Sequence, residues 1–154
     1  MAAQQFCTFF LDSQMFGVPV PEVQEVIGFH DLTPVPLAAK VVEGLINLRG
    51  QIVVAIDLRR RLEMRRRADG RLAMNVVVRS LEGAVSLQVD EIGDVIEVDA
   101  ATFEAPPETL QGPVRAMILG VHKLEGKLLH LLDTEKACQV PGAGEGASAV
   151  RQSA

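Results

Sequence analysis

Gly44-Leu45-Ile46-Asn47-Leu48-Arg49-Gly50-Gln51-Ile52-Val53-Val54-Ala55-Ile56-Asp57 is answered 76 positions later by Gly120-Val121-His122-Lys123-Leu124-Glu125-Gly126-Lys127-Leu128-Leu129-His130-Leu131-Leu132-Asp133. Both runs keep an apolar segment, a turn with one Gly, a second apolar segment and a closing Asp. A second block recurs ahead of them in the same order. Val20, Glu22, Val23, Glu25, Val26 and Ile27 match Val89, Glu91, Ile92, Asp94, Val95 and Ile96 at an offset of 69. Two ordered blocks make the chain an internal duplication, with the copies meeting near Asp69-Gly70.

Around these blocks the apolar segments are short, rich in Val, Ile, Leu and Phe, and cut by turn residues, the pattern of an all-β chain. The spacing predicts strands at Phe6–Leu11, Met15–Val18, Gly44–Leu48, Gln51–Leu58, Met74–Ser80, Ala84–Val89, Val95–Val98, Ile118–Lys123 and Lys127–Leu132. Pro21 in a first-turn position predicts a short helix running to about Ile27. Each copy is too small to bury a good core alone, so the halves are expected to pack on each other as two small, partly open barrels. The copies span about residues 5–68 and 71–138 of one module, 1–138, with the first or last strand free to cross between them. The Pro-Gly-Ala-Gly-Glu-Gly-Ala-Ser stretch within residues 139–154 has little to bury and reads as a disordered tail.

Composition narrows the function. Of 154 residues 48% are hydrophobic and 23% charged, with mean hydropathy +0.22, which describes an aliphatic-rich globular chain. With no Trp, no Tyr and six Phe, and with a net charge of −5, it lacks both stacking aromatics and the cationic surplus that phosphate backbones reward. Cys7 and Cys138 have no metal-type spacing and read as reduced thiols. There is no basic-then-apolar leader and no run long enough to cross a bilayer, so the expected location is the cytoplasm.

Catalytic patterns are missing. Ser13, Ser80 and Ser86 carry no nucleophile-elbow context, and Gly44 to Gly50 is no phosphate loop because no Gly-Lys-Ser/Thr follows. If residues 124–126 form the hairpin tip, His122 and His130 share a sheet face, but no third metal ligand is in view. Asp57 and Asp133 recur in both copies and read as N-caps of short helices at Leu58–Glu63 and Thr134–Ala137. The chain is expected to be no enzyme and to need no cofactor or metal.

Specific function belongs where the copies differ, and the hairpin tip is the clearest place: Asn47-Leu48-Arg49-Gly50 against Lys123-Leu124-Glu125-Gly126. On a rigid tip the planar guanidinium of Arg49 can grip a partner's carboxylate or carbonyls. It reads equally as a solvated turn residue or an ion-pair partner of Glu43 or Glu25.

The run Val42 to Val53 with Ile56-Asp57-Leu58, together with Val23-Gln24-Glu25-Val26-Ile27 and Asp31-Leu32-Thr33-Pro34-Val35-Pro36, resembles the signature of the CheW family. The similarity continues through Val89-Asp90-Glu91 and from Gly120 to Ala137. It implies two five-stranded barrels like those of Src-homology-3 domains. It also implies a non-catalytic adaptor between the cytoplasmic tip of methyl-accepting chemoreceptors and the regulatory domain of a CheA-type histidine kinase. By the same resemblance Glu25, Gly44, Asn47 and Arg49 are expected at the receptor contact, and Val20, Val23 and Ile92 at the kinase contact. The chain departs from that pattern in its arginine-rich insert, with Arg59, Arg60, Arg61, Arg65, Arg66, Arg67 and Arg71. The insert reads as a solvated helix end and linker, or as an anionic-partner site. The alternative of a different class, a small nucleic-acid-binding barrel, rests on this Arg59–Arg71 run.

Overall fold

A computed structural model describes residues 3–68, 70–81 and 83–139. The tail expected to be disordered lies, apart from Gln139, outside the described residues. Eleven strands follow in chain order: β1 (Ala3–Leu11), β2 (Gln14–Pro19), β3 (Val23–Ile27), β4 (Val42–Leu48), β5 (Gln51–Asp57), β6 (Met74–Ser80), β7 (Gly83–Val89), β8 (Glu91–Asp99), β9 (Phe103–Glu104), β10 (Ile118–Leu124) and β11 (Lys127–Leu132). Three short helices accompany them: α1 (Leu58–Arg61), α2 (Gly112–Met117) and α3 (Thr134–Cys138). Asp57 caps α1 by accepting from the Arg59 N–H at 3.1 Å, and Asp133 caps α3 by accepting from the Lys136 N–H at 3.2 Å. The repeated Asp is thus explained: each ends a strand and opens a helix.

The helix expected from Pro21 to Ile27 is absent. Val20–Glu22 makes a single 3-10 turn, and Val23–Ile27 is a strand. Val23, Val26 and Ile27 are β-branched, and β6 offers them antiparallel partners at Val78, Val76 and Asn75. Pairing therefore overrides the helix-opening signal of Pro21. The same holds in the second copy, where β8 begins at Glu91 rather than Val95. Helix α1 also ends at Arg61, ahead of Glu63, whose φ is 55°.

The strands form two sheets, ordered β8-β1-β2-β11-β10-β9 and β3-β6-β7-β5-β4. Neither sheet is one sequence copy. The hairpin that opens each copy crosses to the other: β1–β2 lies between β8 and β11, and β6–β7 lies between β3 and β5. The parallel pairs β2–β11 and β5–β7 seal the exchange. Parallel neighbours need a long connection, so these contacts join segments distant in sequence. We call the five-stranded sheet the first barrel and the six-stranded one, with its two-residue β9, the second.

The exchange explains why the central strands are apolar on consecutive positions. On β1, Phe9 and Leu11 face the seam between the barrels while Phe6 and Phe10 face the interior of the second barrel. On β6, Val76 and Val78 face the seam and Val77 the interior of the first barrel. Side chains alternate between the faces of a strand, so a strand buried on both must be apolar throughout. The seam also takes Phe16, Ile56, Leu58, Met117, Leu132 and Ala137, so both sheets and all three α-helices contribute to it.

Both cysteines are free and pack against this seam. Burial, with help from the Glu135 and Glu22 carboxylates, pushes the Cys138 thiol up to about 12, against an opposing pull from Arg61. A thiol reagent at pH 8 is therefore expected to leave Cys138 unmodified in the folded protein and to modify it once urea unfolds the chain. Rapid labelling of Cys138 without urea would contradict this placement.

Candidate functional site: the Arg49 hairpin

The β4–β5 hairpin closes by pairing Leu48 with Gln51, leaving Arg49 and Gly50 as a two-residue turn. Their φ angles are 50° and 90°, so both central residues are left-handed, as a type I′ turn requires. Asn47 supports the bend by accepting the Gly50 N–H on its side-chain oxygen at 2.9 Å. In the other hairpin only Gly126 has positive φ, so the two tips differ in backbone as well as in charge.

Strands β3 and β4 are the two edges of their sheet. Side chains tie the tip of the β4–β5 hairpin back to β3. Arg49 donates to the Glu25 carboxylate in an ion pair, and Gln24 donates to Gln51 at 3.3 Å. Of the alternatives open in the sequence for Arg49, the structure selects pairing with Glu25. The hydrogen bond and charge of Arg49 lower the Glu25 pKa, against some opposition from desolvation. The guanidinium side chain stays 71% exposed, so its pairing leaves a face for a partner. The repeat equivalents in the second copy are Asp94 and Glu125, two acids that cannot form such a tie.

Gly44 is buried, and it serves a backbone contact. Thr33 and Leu45 exchange N–H···O bonds of 2.9 and 2.8 Å beside it. A β-carbon on Gly44 would stand 2.7 Å from the Thr33 carbonyl oxygen and 3.1 Å from Leu32. The equivalent Gly120 does the same under β9, where a β-carbon would meet the Phe103 ring and stand 2.6 Å from the Glu104 carbonyl oxygen. Gly44→Ala is expected to cost about 2–3 kcal/mol, because a backbone oxygen, unlike a side-chain end, cannot swing aside. Urea denaturation checks it: a loss below about 0.5 kcal/mol would show that the 31–35 loop gives way freely.

Of the expected receptor residues, Glu25, Asn47 and Arg49 stand together, and Gly44 lies beneath them in β4. One further side chain extends the surface. Ile52 pairs across from Asn47 on the hairpin's outer face, whereas Val26, next after Glu25 on β3, points to the opposite face from it; each is 40% exposed. Period-2 alternation marks both as outward-facing, and their apolar character there was the available signal. The expected kinase residues are more dispersed. Val20 and Val23 lead into β3 of the first barrel, whereas Ile92 is on β8 of the second; Val23 and Ile92 are half-buried against the seam.

The arginine run is neither a solvated linker nor a free cationic face. Arg59 is buried and grips buried Asp90 with two hydrogen bonds, one of them from Nε at 2.8 Å, while also pairing with Asp12. Arg67 reaches the same Asp90 at 2.9 Å and Asp57 at 3.6 Å. Arg60 pairs with Glu43 at 3.5 Å, Arg61 donates to the Lys136 carbonyl at 2.9 Å, and Arg71 pairs with Glu91 at 3.0 Å. Burial alone would raise the Asp90 pKa. Hydrogen bonds from Arg59, Arg67 and the Asp12 N–H outweigh it and hold the carboxyl far below the usual range. Only Arg65 and Arg66 of the run stand exposed with no ion pair among the described residues. A phosphate backbone needs many free cations, so the nucleic-acid alternative is not supported.

The histidine expectation is also corrected. A two-residue turn sets the register Val121↔His130 and His122↔Leu129, so the two imidazoles fall on opposite faces. His130 lies beside Phe16 with Nδ1 2.9 Å from the Met15 carbonyl oxygen, and His122 lies between Phe6 and Phe103. Among the described residues no group of three His, Cys, Asp or Glu is placed to hold a metal ion.

The CheW-like domain model matches residues 5–141. The chain is 29% identical over 136 residues to "Chemotaxis protein CheW" of Treponema pallidum (strain Nichols), covering 86% of this chain and 80% of that protein. It is 30% identical over 132 residues to "Chemotaxis protein CheW" of Bacillus subtilis (strain 168), covering 84% and 83% respectively. Among solved structures it superposes on the scaffolding protein TtCheW of Thermoanaerobacter tengcongensis with a TM-score of 0.82 at 27% identity, spanning 92% of this chain and 96% of that one. Duplicated barrels, the Asn-Leu-Arg-Gly tip and these matches over nearly the whole chain agree, and the chain belongs to the CheW-like family.

Proposed function

We propose that this chain is a non-catalytic chemotaxis adaptor that couples chemoreceptors to a CheA-type histidine kinase. The observation that carries the receptor side is the Arg49 tip: a left-handed turn, backed by Asn47, holds an exposed guanidinium against Glu25 on an otherwise rigid hairpin. Such a group can trade part of its bond to Glu25 for acceptors on a partner, with Ile52 adding apolar area on the hairpin's outer face. Glu25, Asn47 and Arg49 are its receptor-facing residues, and Gly44 acts by seating the 31–35 loop. The kinase's regulatory domain is assigned to surfaces around Val20, Val23 and Ile92. Residues 1–138 act as one module because each barrel needs strands from both copies. No helix among the described residues is long and apolar enough to cross a membrane, which fits a cytoplasmic protein recruited to receptor arrays through its partners.

Pull-down with receptor signalling fragments and with the kinase regulatory domain tests the reading directly. Retention of both by the wild-type chain is expected, and failure to retain either sinks the adaptor assignment.

A further inference from the structure

The interior of the second barrel opens to a cavity of about 420 Å³ whose wall includes Phe6, Pro19, Phe103, Leu119, His122 and Leu131. That volume lies in the range of small-molecule sites, and such sites are characteristically apolar with few polar groups. Phe103 and Leu119 form its exposed part, at 46% and 55%. His122 is 2% exposed, with ring centroids of Phe6 and Phe103 at 5.7 and 5.6 Å.

The Thr102 hydroxyl bears on the imidazole's tautomer. Thr102 gives its single hydroxyl proton to the Asp99 carbonyl oxygen at 2.9 Å. With that proton directed to Asp99, the Thr102 oxygen, 2.8 Å from Nδ1 of His122, accepts, and the ring proton is assigned to Nδ1. Desolvation lowers the His122 pKa, which keeps the ring neutral near pH 7. In that tautomer Nε2 is an acceptor with no partner among the described residues, in a side chain that lines the cavity. A donor held against Nε2 by the apolar walls, where it displaces water, adds one hydrogen bond to binding.

The first barrel treats the equivalent positions differently. Ile46 stands where the second copy has His122, and Asn75 where the first hairpin has Phe6. The Asn75 amide is used at both ends, donating to the Gly28 carbonyl and accepting from the Ser86 hydroxyl, each at 2.9 Å. The unmet acceptor is therefore particular to the second barrel.

We propose that this cavity binds a small uncharged aromatic molecule with one N–H or O–H donor, of the indole or phenol class, which donates to Nε2 of His122. The aromatic and aliphatic walls take the ring, and the single acceptor selects for the donor.

The test titrates the full chain with indole and with 1-methylindole, of similar shape but without the donor, following the histidine ring nitrogens by NMR. Saturable indole binding that moves the His122 Nε2 resonance is expected, with an affinity about tenfold above that of 1-methylindole, one hydrogen bond's worth. In His122→Phe, which keeps an apolar wall, the two probes should bind alike. Equal affinities in the wild-type chain, an unmoved His122 signal, or no saturation with either probe would overturn the assignment. The wild-type comparison stands even where the variant folds poorly.

Discussion

Asp90→Ala is expected to destabilise the protein by about 3–5 kcal/mol, the cost of removing one partner from a buried ion pair. The substitution leaves Arg59, only 3% exposed, with its fork emptied of its main acceptor and with Asp12 alone as counter-charge. Arg67 loses its shorter carboxylate contact at the same time. Asp90 follows β7, Asp12 sits in the first hairpin turn, and Arg59 and Arg67 belong to the insert, so one carboxylate pins segments of both sequence copies. The pH dependence has a definite sign. Because the folded pKa of Asp90 is depressed, its contribution is fully present above the unfolded value near about 4. It is lost progressively as pH falls toward the folded value. Urea denaturation of both proteins at pH 7 and at pH 3 checks this: the gap between wild type and Asp90→Ala should narrow in acid. A gap below about 1 kcal/mol at pH 7 would mean that water replaces the carboxylate without penalty.

Arg49→Glu is expected to weaken receptor-fragment binding on the order of 100-fold while kinase binding stays unchanged, since it sets a carboxylate against Glu25 and any acidic partner surface. Folding should change little, because an exposed ion pair contributes little to stability. The charge swap Glu25→Arg with Arg49→Glu separates two roles of this pair. If the receptor reads the guanidinium at the tip, the swap restores the intramolecular tie and leaves receptor binding lost. If the tie alone matters, the swap recovers binding. Unchanged receptor affinity in the single variant removes Arg49 from the site.

Strands β1, β2, β4 to β7, β10 and β11 were legible because alternation and turn residues act over a few neighbours, and the capping role of Asp57 and Asp133 was legible because a cap is local. Strand β3 was not. Val20 to Ile27 carries a helix-opening Pro beside β-branched residues, and only the presence of β6 decides between them. The tip residues Asn47 and Arg49 could be picked out because the two copies diverge there, whereas the outward placement of Val26 shows only once β3 is known to be a strand.

The run from Arg59 to Arg71 shows the limit most plainly. Seven like residues look alike in sequence, yet Arg59 is locked in the interior and Arg66 stands in solvent. Their difference is burial, which depends on where Asp90 arrives from 31 residues away. The histidines repeat the lesson, since one residue of turn length moved His122 and His130 to opposite faces. By itself the sequence determined the duplication, most of the strands and the family. The tertiary structure alone decided the exchange of hairpins between the copies, the burial of the arginines and the acceptor left bare in the second barrel, because each depends on contacts between segments that no local pattern joins.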